Sequence, residues 1–481
     1  MAVLKIIQVH NFYLQAGGED AVVASELALL RSDGHEVVAY YKDNQAVSTG
    51  LWVLVKASVQ TLWNWETYAE FRKLLEIEKP DVVHCHNTFP LISPSIYWVC
   101  AKEKVPVVLT LHNYRLLCLN AFLFRQGRNR HEALGTRHSE EIISHEGTES
   151  SAGTVQNPAP SAQRPTPGPS GAICEKCISK SLKWPGIKFS CYRDSTAGSL
   201  VIAVMLFFHK LIGTWSKKVT AYIALTEFQK EKMIEGGMPA DKIWVKPNFI
   251  QQDDLATKRH KKHENEENTS SVVENPYCLF VGRLSPEKGC DVLIRAWARF
   301  AQKTDIRGQI SEDENRTSDL RSPTSANKKR PSLLIVGDGP EREALEKLSS
   351  DLGLQASVSF LGKQPNEEVL PLMRKAEFLV FPSIWYETFG LTVLEAGLVR
   401  TPSIVSSPTT TSGLLVDMET GLLFPSGNDE VLAEKMKWAF EHAEEMTDMA
   451  EAARTDFESK YSAKVNYLEL MDIYGQAMAS A

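Results

Sequence analysis

Residues Phe378–Glu395 read F-L-V-F-P-S-I-W-Y-E-T-F-G-L-T-V-L-E. The first four side chains are apolar without alternation, as a strand buried on both faces requires. Pro382 and Gly390 punctuate the run, and L-T-V-L-E-A from Leu391 onward has helical character. A strand that ends in a glycine turn and feeds a helix is the repeating unit of a doubly wound parallel sheet. Gly390 permits close backbone approach at that turn. The amides of Gly390, Leu391 and Thr392 then stand at a helix start, where the first N–H groups lack intrahelical partners and point at an anion. Glu387 precedes the helix and Glu395 lies a turn beyond its start, so both carboxylates face one ligand and accept hydrogen bonds from vicinal hydroxyls. A glutamate pair at this spacing, taken alone, is a surface residue and a helix cap. The strand, turn and helix around it change that reading.

The same rhythm extends in both directions. Leu4–Val9, Glu36–Tyr41, Asp81–His84, Val105–Leu111 and Ala221–Leu225 read as buried parallel strands in the first half. Tyr277–Val281, Ser332–Val336, Val358–Leu361 and Ser403–Ser406 join Phe378–Phe381 in the second. The fold class is therefore α/β, with two Rossmann-like doubly wound domains in series and a ligand cleft between their carboxyl edges. The expected domains are 1–250, a linker at 251–276, a second domain at 277–455, and a terminal helix at 456–481. Polar, Pro- and Ser-rich sequence at 131–170 and polar sequence at 305–330 read as surface insertions, the former disordered. The apolar run Leu200–Phe208 is too short to span a bilayer and reads as a buried helix.

Composition narrows the function. A net charge of -7 over 481 residues excludes a generally basic nucleic-acid binder. Residues 1–250 nevertheless carry 27 basic against 23 acidic side chains, a balance of +4, and the remainder stands at -11. Eight cysteines in so long a chain do not make a disulfide scaffold, and V-L-K-I-I-Q-V-H near Met1 is strand-like with no secretory character. The expected location is cytoplasmic. The apolar-basic stretch Lys180–Phe189 and the +4 half fit peripheral contact with the inner membrane face.

A second constellation, F-V-G-R-L-S-P-E-K-G at Phe280–Gly289, brings Arg283 and Lys288 out at a strand's carboxyl edge. Two fixed cations beside helix-start amides neutralise a leaving diphosphate without a metal. No D-x-D triplet occurs in the chain. In the first half, N-F-Y-L-Q-A-G-G-E-D places Gly17 and Gly18 in a loop after the first strand, where backbone meets substrate. P-V-V-L-T-L-H ends a strand at His112.

V-G-R-L-S-P-E-K-G, L-L-I-V-G-D-G-P, V-S-F-L-G, the E-x7-E segment and T-G-L-L-F stand in the order and spacing of one family. The second half resembles the donor domain of the retaining family-4 ("group 1") glycosyltransferases of the GT-B fold, and the first half resembles their acceptor domain. The resemblance implies that Arg283 and Lys288 bind a nucleotide sugar's diphosphate. Glu395 would hold the ribose and Glu387 the transferred sugar, while the Phe389–Thr392 amides meet sugar and phosphate. It implies that His112 meets the acceptor and the reaction centre, with transfer on the front face and retention of configuration. No cofactor is required for catalysis, and the acceptor class is a glycan, a lipid-linked glycan or a small molecule, as in polysaccharide biosynthesis.

H-N-Y-R-L-L-C … C-x-x-C … C-Y-R also resembles one subgroup, in which Cys118, Cys174, Cys177 and Cys191 make a candidate structural zinc site. Two departures stand out. Thr409 and Thr410 occupy the place of the family's paired glycines and Gly413 that of a following glutamate, and Leu119 and Ala121 stand where the subgroup carries proline and glycine. A catalytically altered protein that only binds nucleotide sugar and a nucleotide-sugar epimerase are the alternative readings. A dinucleotide oxidoreductase is disfavoured because no G-x-G-x-x-G follows the first strand.

Overall fold

Runs of Val, Ile and Leu with no polar alternation need a cover on both faces, and here helices supply it. The computed structural model of the chain describes residues 2–12, 18–43, 58–125, 171–250, 275–303 and 330–480. The first half holds β1 Lys5–Phe12, β2 Glu36–Asp43, β3 Val82–Cys85, β4 Val107–Thr110, β5 Phe124–Arg125, β6 Ala172–Ile173, β7 Ala221–Ala224 and β8 Ile243–Val245. The second holds β9 Tyr277–Val281, β10 Ser332–Val336, β11 Val358–Gly362, β12 Phe378–Phe381, β13 Ser403–Ser407 and β14 Leu422–Pro425. Apart from β5 and β6, which pair antiparallel with each other, the strands form two six-stranded parallel sheets. Their orders are β2-β1-β3-β4-β7-β8 and β11-β10-β9-β12-β13-β14. The expected two-domain α/β architecture is thus present. The 131–170 insertion and Gly17 lie outside the described residues, as do the 251–276 linker apart from 275 and 276 and the 305–330 insertion apart from 330.

The strand orders place the site. The chain departs from β1 toward one edge of its sheet and returns to β3 on the other side, so β1 and β3 flank a switch point. In the second sheet β9 and β12 do the same. Ligands of open α/β sheets bind outside the carboxyl ends of such strands. The segments that leave β9 and β12 contain Arg283, Lys288 and Glu387, and those that leave β1, β3 and β4 contain Gly18, His86 and His112.

One face of the first sheet changes character along its strands. Ile6, Val82 and Val108 form an apolar floor against the chain's last helix. One step toward the carboxyl edge the same face carries buried Gln8, His84 and Thr110, and beyond them His10, His86 and His112. The period of two in a strand makes each trio point the same way. Helix Gly18–Ser32 lies over this polar row with Glu26 buried against it.

Two helices differ from expectation. The terminal stretch is divided, with one helix over Ala443–Lys460 and another over Ala463–Ala479, capped by Ser462 Oγ on the Val465 amide. The first packs on the donor-side helix Leu391–Leu398, where Phe457 crosses Gly397 so closely that a Cβ there would sit 2.5 Å from its ring. The second returns to the first domain and places Leu470, Ile473 and Tyr474 on its sheet. Helix Thr196–Leu211 is buried on one side only. Ile202, Ala203, Met205 and Leu206 face the core, while Leu200, Val204, Phe207 and Leu211 are exposed. Among the described residues no helix is long and apolar enough to cross a membrane.

Candidate active site

The donor-side half is assembled by backbone contacts between two loops. Gly289 ends the Ser285–Lys288 turn with φ 65°, and its position leaves no room for a side chain, since a Cβ would meet the Pro382 carbonyl at 2.1 Å. The Ile384 amide donates to the Glu287 carbonyl at 2.9 Å. These joints bring Lys288 and Glu387 together from positions 99 residues apart, with Nζ donating to Oε1 at 2.5 Å. Ser383 Oγ donates to the same carboxylate oxygen at 2.8 Å. Glu387 is buried, and the Lys288 ammonium lies 5.7 Å from the centres of both the Phe381 and Trp385 rings. The negative face of an aromatic ring attracts a cation and so helps to hold it in place. Arg283 is exposed at the end of β9 and makes no ion pair among the described residues.

Helix Leu391–Leu398 begins beside this pair. Gly390 caps it at φ 106°, and no side chain accepts from its first turn. The amides of Leu391 and Thr392 precede the first intrahelical hydrogen bond and stay available to an anion. Phe389 contributes only backbone, because its ring is buried in the core against Tyr461. Glu395 lies half-buried on the same helix and is engaged with a neighbour. The Thr409–Gly413 segment, one of the departures noted above, lies directly on the cradle: Thr409 caps the 3-10 turn Thr410–Leu414, and a Cβ at Gly390 would approach Thr411 Cγ2 to 2.5 Å.

Across the cleft, Gly18 reaches the start of the donor helix, where a Cβ on it would lie 3.3 Å from Leu391 Cδ1. His112 is buried at the end of β4, its Nε2 2.9 Å from Nδ1 of His86, with the two rings stacked. Burial, reinforced by His86, holds the His112 imidazole well below its usual pKa and therefore neutral. Tyr114, two residues on, is fully buried and within electrostatic reach of Glu387; burial first, and that carboxylate in addition, push its phenol up. A cavity of about 70 Å³ beside His112 is lined by Asn87, Phe89, Asn113 and Arg115 among others. The Arg115 guanidinium lies over the Phe89 and Tyr192 rings at 4.8 and 5.4 Å.

The four cysteines form a separate group near Leu119. Burial raises the thiols of Cys118, Cys177 and Cys191, and the neighbouring sulfurs, including that of Cys174, add to it. Cys118 Sγ donates to Asn120 at 2.9 Å. Among the described residues no three of these sulfurs lie within 4.8 Å of one another. Ala121, at the subgroup's glycine position, has φ 69°, which explains why glycine suits it.

Residues not foreseen from sequence complete the picture. Trp385 packs edge-on to Phe122 at 5.1 Å, and Tyr386 packs on Phe228 at 4.7 Å while donating to Glu175 at 3.2 Å. These two rings, adjacent to Glu387, strut the cleft from the second domain to the first. His86 and Glu26 lie behind His112. The H-C-H-N run at the end of β3 was the available signal for His86, since alternate histidines at a strand's carboxyl edge share a face with the next strand's histidine.

Two facing doubly wound domains with this cation–carboxylate pair at the switch point constitute the GT-B architecture. The fold is shared along its whole length with a glycosyltransferase from Rickettsia africae, at TM-score 0.62 and 14% identity with both chains fully covered. It is shared equally with Anabaena HepE in complex with UDP and glucose, at TM-score 0.58 and 14% identity, covering 98% of this chain and 99% of that one. Residues 261–456 match the family "Glycosyl transferases group 1" and residues 17–144 match the "Glycosyl transferase 4-like domain". Residues 261–456 thus form a group 1 glycosyltransferase domain. Among curated relatives, it is 25% identical over 263 residues to the alpha-D-kanosaminyltransferase of Streptomyces kanamyceticus, covering 54% of this chain and 61% of that one. It is 26% identical over 289 residues to the phosphatidyl-myo-inositol mannosyltransferase of Mycobacterium leprae, covering 59% and 65%. These matches span less than two thirds of either relative.

Proposed function

We propose that the protein transfers a sugar from a nucleoside-diphosphate sugar to a hydroxyl of a glycan, lipid-linked or small-molecule acceptor, with retention of configuration and without a metal. The observation that carries this is the Lys288–Glu387 pair, 2.5 Å apart, beside the uncapped start of helix Leu391–Leu398. A lysine ammonium has three protons. It can keep one on Glu387 and give the others to a diphosphate that also accepts from the Leu391 and Thr392 amides. Arg283, exposed at the same edge, adds a second cation. The free oxygen of Glu387 is then an acceptor for the hydroxyls of the transferred sugar. Charge accumulates on the diphosphate as the glycosidic bond breaks, so these groups act most strongly in the transition state. The acceptor hydroxyl approaches from the His112 side, and its proton passes to the departing phosphate.

The complexes of HepE with UDP and with UDP-glucose support the donor class. The two curated relatives, named for kanosaminyl and mannosyl transfer, support a sugar cargo. Peripheral membrane contact is part of the same reading. Trp184 in the Lys180–Phe189 stretch is 61% exposed, and the Leu200, Val204, Phe207 and Leu211 stripe lies on the same domain, with Lys210 exposed beside it. Lys183 does not contribute, since its ammonium turns inward to the Cys177 and Ile178 carbonyls.

The test is a panel of nucleotide sugars, with release of nucleoside diphosphate followed in the presence of acceptors and of EDTA. Release that survives EDTA, is lost in Glu387→Ala and yields an axial or equatorial product matching the donor supports the reading. Binding without turnover on any acceptor supports a sugar-binding scaffold instead, and an epimerised donor supports an epimerase.

A further inference from the structure

The buried polar row behind His112 has no role in the donor chemistry, yet it is costly to maintain. Glu26 and Lys246 are 1% and 2% exposed, and burying a charge is tolerated only with a partner. Lys246 Nζ lies 3.5 Å from Glu26 Oε2 and donates to Asn466 Oδ1 of the last helix at 3.0 Å. Glu26 Oε1 lies 2.9 Å from His84 Nδ1 and 3.1 Å from His86 Nε2. His84 is held from both sides, by Tyr474 at Nδ1 and Thr110 at Nε2, each at 2.8 Å. His86 alone continues forward, through Nδ1, to His112.

We propose that Lys246, Glu26 and His86 form a positioning chain that fixes which ring nitrogen of His112 carries its proton and aims the other at the acceptor. This rests on the assignment of His112 to the acceptor side. The carboxylate beside His86 Nε2 favours a proton on that nitrogen. The influence is one of charge rather than of an aligned hydrogen bond, since Glu26 Oε1 makes none of standard geometry. The Gln8 amide, 3.2 Å from the same nitrogen, gives one N–H to the Val23 carbonyl at 3.3 Å; its second N–H competes for a lone pair on His86 Nε2, and a neutral amide yields there to the charge of the buried carboxylate. With Nε2 protonated, His86 Nδ1 has only a lone pair, so His112 Nε2 must be the donor across the 2.9 Å contact. His112 Nδ1 is left as the acceptor, and it makes no other hydrogen bond among the described residues. A neutral imidazole held in that tautomer accepts the hydrogen bond of an incoming hydroxyl in the ground state and so places its oxygen; the hydroxyl's one proton then turns to the departing phosphate as the glycosidic bond breaks. Glu26, His84 and His86 lie close enough together to hold a metal ion, but the Lys246 ammonium already supplies the positive charge beside the carboxylate. The other titratable groups around the chain are Tyr41, whose hydroxyl donates to Gln8 Oε1 at 2.6 Å, Tyr474 with Cys85, His10 with Glu19 and Asp20, and Glu469 near Lys246.

The test pairs nitrogen-15 NMR of the histidine rings with turnover at saturating donor, in the full chain. Glu26→Gln removes the charge, and the double variant Glu26→Gln/Lys246→Met also removes the stranded ammonium, so that it folds even if the single variant does not. The expected result is an Nε2-protonated His112 in the wild type and a mixed tautomer in both variants. Turnover should fall about 10–100-fold with donor affinity unchanged, and its pH profile should move. A merely structural role predicts recovery in the double variant. His112 keeping its tautomer in a folded variant, or turnover matching the wild type, overturns the proposal. If the wild type transfers no sugar, the assignment of function fails, and the tautomer measurement decides this inference by itself.

Discussion

Replacing Lys288 by methionine removes the ammonium while keeping most of the side chain's length. In the free protein the loss falls on Glu387, which among the described residues keeps the Ser383 hydroxyl at 2.8 Å as its hydrogen-bond partner. A buried carboxylate stripped of a charged partner costs about 1–3 kcal/mol, and the cleft mouth, where Lys288 is itself 23% exposed, puts this variant near the lower end. The effect on chemistry is larger. A preorganised cation aimed at developing charge contributes about 3–4 kcal/mol, or roughly 10²–10³ in rate. Because the diphosphate is most anionic as the sugar departs, the deficit should fall mainly on kcat and less on KM. The assay is initial-rate release of nucleoside diphosphate across donor concentrations, with thermal melting as the control for folding. A folded Lys288→Met protein whose kcat/KM stays within about tenfold of the wild type, a change worth only ~1.4 kcal/mol, would refute the argument. Lys288 would then be a structural counter-ion of Glu387 and nothing more.

Gly390→Ala should lower the melting temperature and weaken donor binding, because a non-glycine residue held at φ 106° costs about 1–3 kcal/mol before the contact with Thr411 is counted. Calorimetry and donor titration check both effects. Stability should decline as pH falls from 6.5 toward 4: burial, aided for His86 by neighbouring His84, holds His86 and His209 at about 4, so the unfolded chain takes up protons that the folded one refuses. Each contributes on the order of 3 kcal/mol across that window, nothing above it, and no further change below it; urea midpoints measured against pH reveal the slope. Replacing Leu200, Phe207 and Leu211 together by serine should release the protein from anionic vesicles in a sedimentation assay while soluble-acceptor turnover persists. Trp385→Ala should disturb closure of the two domains, seen as altered small-angle scattering in the presence of donor.

Much of the architecture was legible because both sheets are parallel and buried on two faces. Tyr277–Val281, Ser332–Val336 and Phe378–Phe381 occupy the bounds expected for them, since an uninterrupted apolar run leaves no other option. β8, I-W-V, and β14, L-L-F-P, are too short to show a period, and only pairing with a neighbouring strand defines them. The run Leu200–Phe208 reads as a buried helix, and the exposed side of helix Thr196–Leu211 is not legible there, because an apolar run does not report which side meets a partner. The placement of Lys288 beside Glu387 followed from adjacency of β9 and β12, which a doubly wound order implies. The Glu26–His86 contact was not legible, because 60 residues separate the two and nothing local signals that a helix glutamate is turned inward. The struts from Trp385 and Tyr386 were hidden for the same reason, aromatic residues being as ordinary in a core as at a domain boundary.

The helix Ala463–Ala479 gives the molecule a mechanical property. The chain leaves the first domain after Val245 and re-enters it at Ser462, and the two crossings are fastened to each other: Asn466 accepts from Lys246 at 3.0 Å and donates to the Pro247 carbonyl at 2.6 Å. Two ropes tied at one cleat allow swinging about the knot and resist pulling apart. A rotation about Lys246–Asn466 keeps both of these bonds, whereas a separation at that point breaks them. The knot is also the rear end of the side-chain row that leads to His112, so the pivot of the motion and the anchor of the acceptor-side histidine are one place.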